Sequence, residues 1–161
     1  MKKILKELLP YVIIVLAVVL IRTYIVTPVT VDGPSMQSTL YTNDVMLLFK
    51  INKNNLQRYD IVVLKHGTDR LIKRLIALPG ERIKCVDGKI YINDEEKSNE
   101  YGYGSNFDFD EVTLGDDEYF VMGDNREDSL DSRYFGAVKK DQILGNVNYI
   151  LFPFNRFGTV K

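Results

Sequence analysis

Cysteine, histidine and tryptophan are scarce or missing in this sequence, which has one Cys, one His and no Trp among 161 residues. The single cysteine, Cys85, excludes an intramolecular disulfide, so the fold has to rest on its core. A structural zinc site usually needs four Cys or His ligands, so no metal is predicted, and no sequence feature indicates another cofactor. The only histidine, His66, lies in the polar stretch LKHGTDR, which is typical of a hairpin loop and argues against a Ser-His-Asp triad.

Clusters of basic residues are also lacking. From Pro28 onward the chain has 17 Lys and Arg against 21 Asp and Glu. Proteins that bind nucleic acid carry a basic patch, so binding of nucleic acid is not expected. Between Asp94 and Glu118 ten acidic residues accompany a single base, Lys97, and the stretch includes the aromatic, glycine-rich EYGYGSNFDFDEV. We expect this stretch to form a solvated loop or a small subdomain.

The one long apolar run lies near the N-terminus, where the 14 residues LLPYVIIVLAVVLI separate Glu7 from Arg22. As a helix extended to Val26 the segment is about 28 Å long, close to the ~30 Å hydrocarbon core of a bilayer. A cleavable signal peptide and the buried helix of a soluble protein are the alternatives. A signal peptide needs an A-x-A-like cleavage site, which the following IRTYIVTPVT lacks. Charges at one end and apolar residues on every face favour a membrane anchor.

The sequence therefore predicts a single-pass membrane protein with three parts. Residues 1–7 would be cytoplasmic, because three lysines precede the apolar run and no Lys or Arg occurs from 23 to 49. Residues 8–27 would form the transmembrane anchor, and residues 28–161 would lie outside the membrane, close to its surface.

The body of the chain has the pattern of short strands separated by Gly, Asn, Asp and Pro. Seven strand-length stretches are rich in β-branched or aromatic residues: VMLLF, DIVVLK, RLIKRLIAL, RIKCV, KIYIN, EYFVM and NVNYILFPF. VDGKIYIND is predicted to form a hairpin with Asp87-Gly88 as its turn. No long segment after residue 28 has helical periodicity. The predicted fold is mostly β, an antiparallel sheet domain preceded by one transmembrane helix.

The C-terminal stretch LFPFNRFG has two interpretations. It is either a final strand with its turn, or a place where aromatic side chains such as Phe154 dip into the membrane interface.

Two cations stand in an otherwise apolar predicted strand, RLIKRLIAL. Alternation puts Lys73 on one face and Arg74 on the other, and both faces are apolar, so the strand is predicted to be buried on both sides. Burying a cation costs several kcal/mol unless it is paired or discharged. Arg74 keeps its proton and needs a carboxylate, whereas Lys73 can become a neutral amine, because desolvation lowers a lysine pKa. A neutral buried lysine is a general base.

Two further stretches fit that chemistry. VDGPSMQSTL follows the apolar run and presents Ser35 after the turn-forming Gly33 and Pro34, where a base could activate its hydroxyl. GDNREDSLDSRYFG, residues 123–136, is dense in Asp, Arg and Ser, and it can pair Arg74 and hold side chains rigidly. It lacks the central Gly and terminal Glu of a calcium loop.

These stretches carry a family resemblance. GPSMQSTL, YDIVVL, LIKRLIALPGE and GDNREDSLDSRYFG, in this order after an anchor, resemble the bacterial type I (leader) signal peptidases, in the short form found in Gram-positive members. These enzymes use a serine–lysine dyad. The resemblance covers nearly the whole chain and is weakest over 85–118, which is expected to be a small variable or cap subregion of the catalytic domain.

The resemblance implies a role for each reacting group. Ser35 would attack the scissile carbonyl of a preprotein, and Lys73 would take the serine proton and return it to the leaving amine. Backbone N–H groups of Ser35 and Gly33 would bind the oxyanion. The substrate would add as an extended strand beside the two catalytic segments, and shallow pockets would select the small residues of an A-x-A site. The protein would act at the bacterial plasma membrane, in contact with lipid.

Other residues would support these two. Ser129 would hydrogen-bond and orient Lys73, Asp131 and Arg133 would pair to shape the site, and Asp124 would pair with Arg74. The substrate pockets would be formed by Val31, Asp32, Met36, Leu71 and Ile72.

Two positions depart from common family patterns. Ser38 stands where a proline is usual, which loosens the turn after the nucleophile. Gly33 replaces a serine that helps bind the oxyanion in many Gram-negative relatives, so backbone N–H groups would do more of this work. Two alternatives stay open: a self-cleaving Ser/Lys repressor, which is soluble and binds DNA, and a weak or inactive signal-peptidase-like binding protein anchored in the membrane.

Overall fold

The computed structural model describes residues 2–51 and 55–160. The ends of the predicted segments 1–7 and 28–161, residues 1 and 161, lie outside the described residues. Helix α1 spans Lys2–Leu20 and continues as a π-helical turn over Ile21–Ile25. The strands, in chain order, are β1 Val26–Thr30, β2 Val45–Phe49, β3 Ile61–His66, β4 Asp69–Ala77, β5 Arg82–Val86, β6 Lys89–Ile92, β7 Glu95–Glu96, β8 Phe109–Thr113, β9 Glu118–Met122, β10 Val138–Lys139, β11 Ile143–Phe152 and β12 Gly158–Thr159. A short helix, α2 at Ser132–Phe135, separates β9 from β10.

The N-terminal helix is long and apolar enough to cross a membrane over Lys6–Ile25. Its large apolar side chains are exposed all around, with Val15 at 62% exposure, which fits a helix surrounded by lipid. The helical backbone ends at Ile25, two residues before the predicted end of the anchor, because the chain enters β1 at Val26. Pro28 lies inside this edge strand, where a proline can be accommodated.

The larger of two sheets has the strand order β1-β2-β11-β3-β4-β9-β10, with β12 paired to β11. Its strand pairs are antiparallel. Strand β4 lies between β3 and β9, so both of its edges are paired. Residues 73 to 77 are all buried, and because successive residues point to opposite faces, both faces of this part of β4 are covered. The predicted mostly β fold with one apolar N-terminal helix is therefore confirmed, as is the burial of the Lys73–Arg74 pair.

The smaller sheet has the order β7-β6-β5-β8 and begins at Arg82, three residues before the predicted subregion 85–118. Its first hairpin turns at Asp87-Gly88, as predicted, because both residues have positive φ (52° and 74°) and Val86 pairs with Lys89. Cys85 is buried in β5, and burial raises the pKa of its thiol, which is typical of an unreactive strand residue.

One apolar cluster joins the two sheets. Phe120 of the large sheet is 1% exposed and stacks on Phe109 of the small sheet, with ring centroids 5.3 Å apart. The buried members of the cluster are Ile76, Ala77, Ile83, Ile90, Ile92, Leu114, Phe120 and Met122. The small sheet is therefore attached to the large one by apolar burial.

The C-terminal stretch forms the predicted final strand and turn. Strand β11 ends at Phe152, a single 3-10 turn spans Phe154–Arg156, and β12 returns alongside β11. Phe154 is 82% exposed. Contact of these aromatic side chains with lipid stays a prediction.

Replacing the central aromatic of the cluster should destabilise the whole domain. We expect Phe120→Ala to lower the free energy of unfolding by about 3–5 kcal/mol, because it removes transfer energy and leaves a cavity between the sheets. The measurement is urea unfolding of the full-length protein in detergent micelles, followed by circular dichroism.

The matched control is Phe154→Ala, which removes the same atoms from an exposed position. Equal effects of the two substitutions would contradict the assignment of Phe120 to the core between the sheets.

Candidate active site

Ser35 lies in a tight turn between β1 and β2. The turn is closed by backbone bonds from the Gln37 N–H to the Pro34 carbonyl (3.0 Å) and from the Leu40 N–H to the Met36 carbonyl (2.8 Å). Gly33 enters the turn with φ of +93°, a conformation that favours glycine. Because Met36 is 1% exposed and anchors the turn in the core, Ser35 is held at the surface of the sheet.

Lys73 reaches the serine from β4. Its Nζ donates a hydrogen bond to Ser35 Oγ at 2.7 Å, and the lysine is 3% exposed. Burial lowers the pKa of Lys73 from 10.5 to about 8, an effect that the negative charge of Asp131 opposes and the positive charge of Arg133 reinforces. A lysine with this pKa is partly neutral near pH 7 and can accept a proton from the serine hydroxyl.

Arg74 is neutralised as its burial requires. Its Nε and Nη2 donate to the two carboxylate oxygens of Asp124 at 2.8 and 2.7 Å, and both side chains are fully buried. Arg74 Nη1 also donates to the Tyr59 carbonyl, and the Thr39 hydroxyl donates to Asp124 Oδ2 at 2.5 Å. The bidentate pair joins β4 to residues 123–131, the β9–α2 loop.

Asp131 is the second buried carboxylate of this loop. It accepts hydrogen bonds from Arg133 Nε (2.9 Å), Arg133 Nη2 (2.8 Å), the Gly123 N–H (2.9 Å) and the Ser129 hydroxyl (2.7 Å). Burial acts to raise its pKa, but the Arg133 bond and charge and the other donors lower the pKa overall. Asp131 also caps α2, a helix too short to give a periodic sequence signal, by accepting from the Arg133 N–H.

The predicted hydrogen bond between Ser129 and Lys73 is not formed in the described part of the chain. The Ser129 hydroxyl donates to Asp131 Oδ2. Ser129 nevertheless lies next to Ser35. A Cβ on Gly123 would collide with Ser129 Oγ and press on the Ser35 carbonyl, so only glycine lets these segments approach so closely.

Three contributors were not identified in the sequence. The Asn125 N–H donates to the Ser35 carbonyl at 3.0 Å, Thr39 joins the Arg74–Asp124 pair, and the Tyr101 ring lies 4.0 Å from the Arg74 guanidinium carbon. Thr39 and Asn125 lie inside the GPSMQSTL and GDNREDSLDSRYFG stretches, so their positions were a usable signal. Tyr101 lies in the acidic, aromatic stretch, where no sequence signal indicated a contact with the site.

The predicted pocket residues fall into separate places. Val31, Met36 and Ile72 pack in one core cluster, whereas Leu71 packs in another, because successive residues of a strand point to opposite faces. Asp32 is exposed. Whether these residues line a substrate pocket stays a prediction.

Comparison with known proteins identifies the family. The family described as "Signal peptidase, peptidase S26" matches residues 4–152. A signal peptidase I of Bacillus amyloliquefaciens is 37% identical, with 93% of this chain and 89% of the relative covered. Signal peptidase I S of Bacillus subtilis strain 168 is 36% identical, with 96% and 92% covered.

A solved structure has the same fold. The crystal structure of a signal peptidase I from Enterococcus faecalis is 34% identical, with a TM-score of 0.52 over 58% of this chain and 97% of the crystallised one. The site agrees with these matches, since a buried lysine contacts a turn serine and the neighbouring loop holds paired Asp and Arg side chains. The chain therefore belongs to the signal peptidase family, peptidase S26.

Proposed function

We propose that this protein is a membrane-anchored serine endopeptidase that removes N-terminal signal peptides from preproteins by a Ser35–Lys73 mechanism. The observation that carries the proposal is the 2.7 Å contact between Lys73 Nζ and Ser35 Oγ, made by a lysine whose pKa burial lowers to about 8. Relatives of similar length are named signal peptidase I, which supports the substrate class.

The reaction proceeds in two halves. Neutral Lys73 takes the Ser35 proton as Oγ attacks the scissile carbonyl, and backbone N–H groups of Ser35 and Gly33 bind the oxyanion. The tetrahedral intermediate collapses when the C–N bond breaks and the Lys73 ammonium protonates the leaving amine. Lys73 then removes a proton from water as the water attacks the ester on Ser35. The ester C–Oγ bond breaks, the Lys73 ammonium returns the proton to Ser35 Oγ, and the signal peptide leaves with a new carboxyl terminus.

The supporting groups act through their effects on Ser35 and Lys73. The Arg133–Asp131 pair keeps a negative charge close to Lys73, which limits the fall of its pKa. The Arg74–Asp124 pair joins the β9–α2 loop to β4, and the Asn125 N–H then holds the Ser35 carbonyl. The substrate adds as an extended strand, with the small residues of its A-x-A sequence in pockets formed by Val31, Asp32, Met36, Leu71 and Ile72.

The apolar helix supports a location of this reaction at the bacterial plasma membrane. The helix spans the bilayer with its lysine-rich end in the cytoplasm, so the β domain acts outside, where exported preproteins emerge. The exposed Phe154 near the C-terminus contacts the lipid interface.

Removing either reacting group should abolish cleavage. With a preprotein bearing an A-x-A signal peptide, in detergent or lipid, we expect wild type to cut after the A-x-A site. Ser35→Ala and Lys73→Ala should each lower kcat by about 10³-fold or more, since they remove the nucleophile and its base. The readout is the appearance of the mature N-terminus by mass spectrometry.

Two exposed positions supply matched controls. Ser38→Ala removes a hydroxyl in the same turn, and Lys65→Ala removes an exposed lysine of the neighbouring strand; both variants should keep wild-type rates. A folded but inert wild type would favour the binding-protein alternative.

The rate should rise with pH as Lys73 loses its proton. With a pKa of about 8, roughly a tenth of the lysine is neutral at pH 7 and about nine tenths at pH 9, so kcat/KM should follow this rise with a midpoint near pH 8. Lys73→Arg should be inactive across this range, because an arginine keeps its proton and cannot act as a base. A rate that stays constant from about pH 6 to about pH 9 would contradict Lys73 as the base.

The orientation of the anchor is separately testable. In spheroplasts of bacteria that express the protein with an N-terminal tag, added protease should digest the β domain and spare the tag. Digestion of the tag before lysis, with the β domain protected, would reverse the proposed orientation.

A further inference from the structure

We propose that residues 99–107, here named the clamp segment, hold the β9–α2 loop against the nucleophile, with Tyr101 as a positioning residue. The role rests on the proposed peptidase function. The segment connects β7 of the small sheet to β8 and belongs to the part of the chain with the weakest motif resemblance. Neither reacting group lies in it.

The Tyr101 ring covers the buried ion pair. Its centroid lies 4.0 Å from the Arg74 guanidinium carbon and 5.3 Å from the centroid of the Tyr59 ring. Arg74 is fully buried and bound to Asp124, so the ring contacts a desolvated cation, the setting in which cation–π attraction is strongest. Tyr101 thereby helps to keep water away from the bond that joins β4 to the β9–α2 loop.

The backbone of the clamp segment pairs with the β9–α2 loop around Asn125, the residue after Asp124. The Tyr103 N–H donates to the Asp124 carbonyl at 2.9 Å, and the Arg126 N–H donates to the Tyr103 carbonyl at 3.0 Å, which makes a parallel bridge around Asn125. The Asn125 N–H is the group that donates to the Ser35 carbonyl. A displacement of the clamp segment is therefore transmitted to the nucleophile through one intervening residue.

Two outer contacts fix the segment along the same loop. Arg126 Nη2 donates to Asn99 Oδ1 at 2.8 Å, and the Ser105 N–H donates to Glu127 Oε1 at 3.0 Å. A Cβ on Gly102 would collide with the Arg126 guanidinium and the Asn99 amide oxygen, so a larger residue would displace the ends of both side chains. The glycine-rich, aromatic character of the segment thus has a structural use.

The decisive experiment compares Tyr101→Leu with Tyr101→Phe in the full-length protein, using the preprotein cleavage assay. Leucine keeps bulk but removes the ring face, so we expect kcat to fall about 10- to 100-fold with KM little changed, since only the alignment of Ser35 is lost. Phenylalanine keeps the ring face and should restore kcat. Tyr91→Leu, on the neighbouring strand β6, is the matched control and should behave as wild type.

Hydrogen exchange of the peptide spanning residues 123–129 tests the clamp without relying on catalysis. The Asn125 and Arg126 amides should exchange faster in Tyr101→Leu, and also in Gly102→Ala, which disturbs the segment without touching the ring. These amides should be unaffected in Tyr91→Leu. If Tyr101→Leu does not fold, Gly102→Ala supplies both measurements.

The outcomes separate this proposal from the proposed function. If wild type does not cleave, the peptidase function fails, and faster exchange in Tyr101→Leu still supports the clamp. If wild type cleaves and Tyr101→Leu keeps both its kcat and its exchange rates, the clamp is overturned. Faster exchange with unchanged kcat, or slower catalysis with unchanged exchange, would overturn the positioning role of Tyr101.

Discussion

The buried ion pair between Arg74 and Asp124 is the constraint on which the rest of the site depends. Arg74 lies in a strand covered on both faces, where an unpaired guanidinium would cost several kcal/mol. The carboxylate of Asp124, 50 residues away in the chain, balances its charge. The loop that carries Asp124 must therefore lie against β4, and the same loop carries Asn125, Ser129 and Asp131. Removing either partner of such a pair typically costs about 3–5 kcal/mol, because the other charge is left buried alone.

The neighbouring Lys73 is also buried, but the cost of burying its charge is reduced in a different way. It has no carboxylate in contact with its ammonium in the described residues, and its hydrogen bond goes to the Ser35 hydroxyl. Its pKa falls to about 8 as a result of burial, while the nearby Asp131 is committed to Arg133 and Ser129. The burial of two successive cations in one strand is thus accommodated differently: the charge of the arginine is balanced by pairing, and the pKa of the lysine is lowered by burial.

The small sheet connects to this arrangement through its clamp segment. Apolar burial around Phe120 attaches the sheet to the large one, and the segment after β7 then reaches Arg74 and the β9–α2 loop with a ring, a backbone bridge and two side-chain contacts. The family motifs and the clamp segment, which carries none of them, therefore form one physical unit around Ser35.

Local patterns in the sequence predicted seven of the twelve strands in the described residues, all but β1, β7, β8, β10 and β12. They also predicted the Asp87-Gly88 hairpin, the apolar helix and the burial of Lys73 and Arg74, because period-two alternation, turn chemistry and the cost of burying a charge act within a few residues. The motifs, with the family resemblance, also named Ser35, Lys73 and the Asp124 and Asp131 carboxylates. Only the tertiary structure decided which groups touch. It directed Ser129 to Asp131 instead of Lys73, placed Leu71 and Ile72 in different clusters, and brought Tyr101 onto Arg74. The Thr39–Asp124 bond at the same site joins residues 85 positions apart, and the choice of such contacts depends on sheet order, which no local pattern encodes.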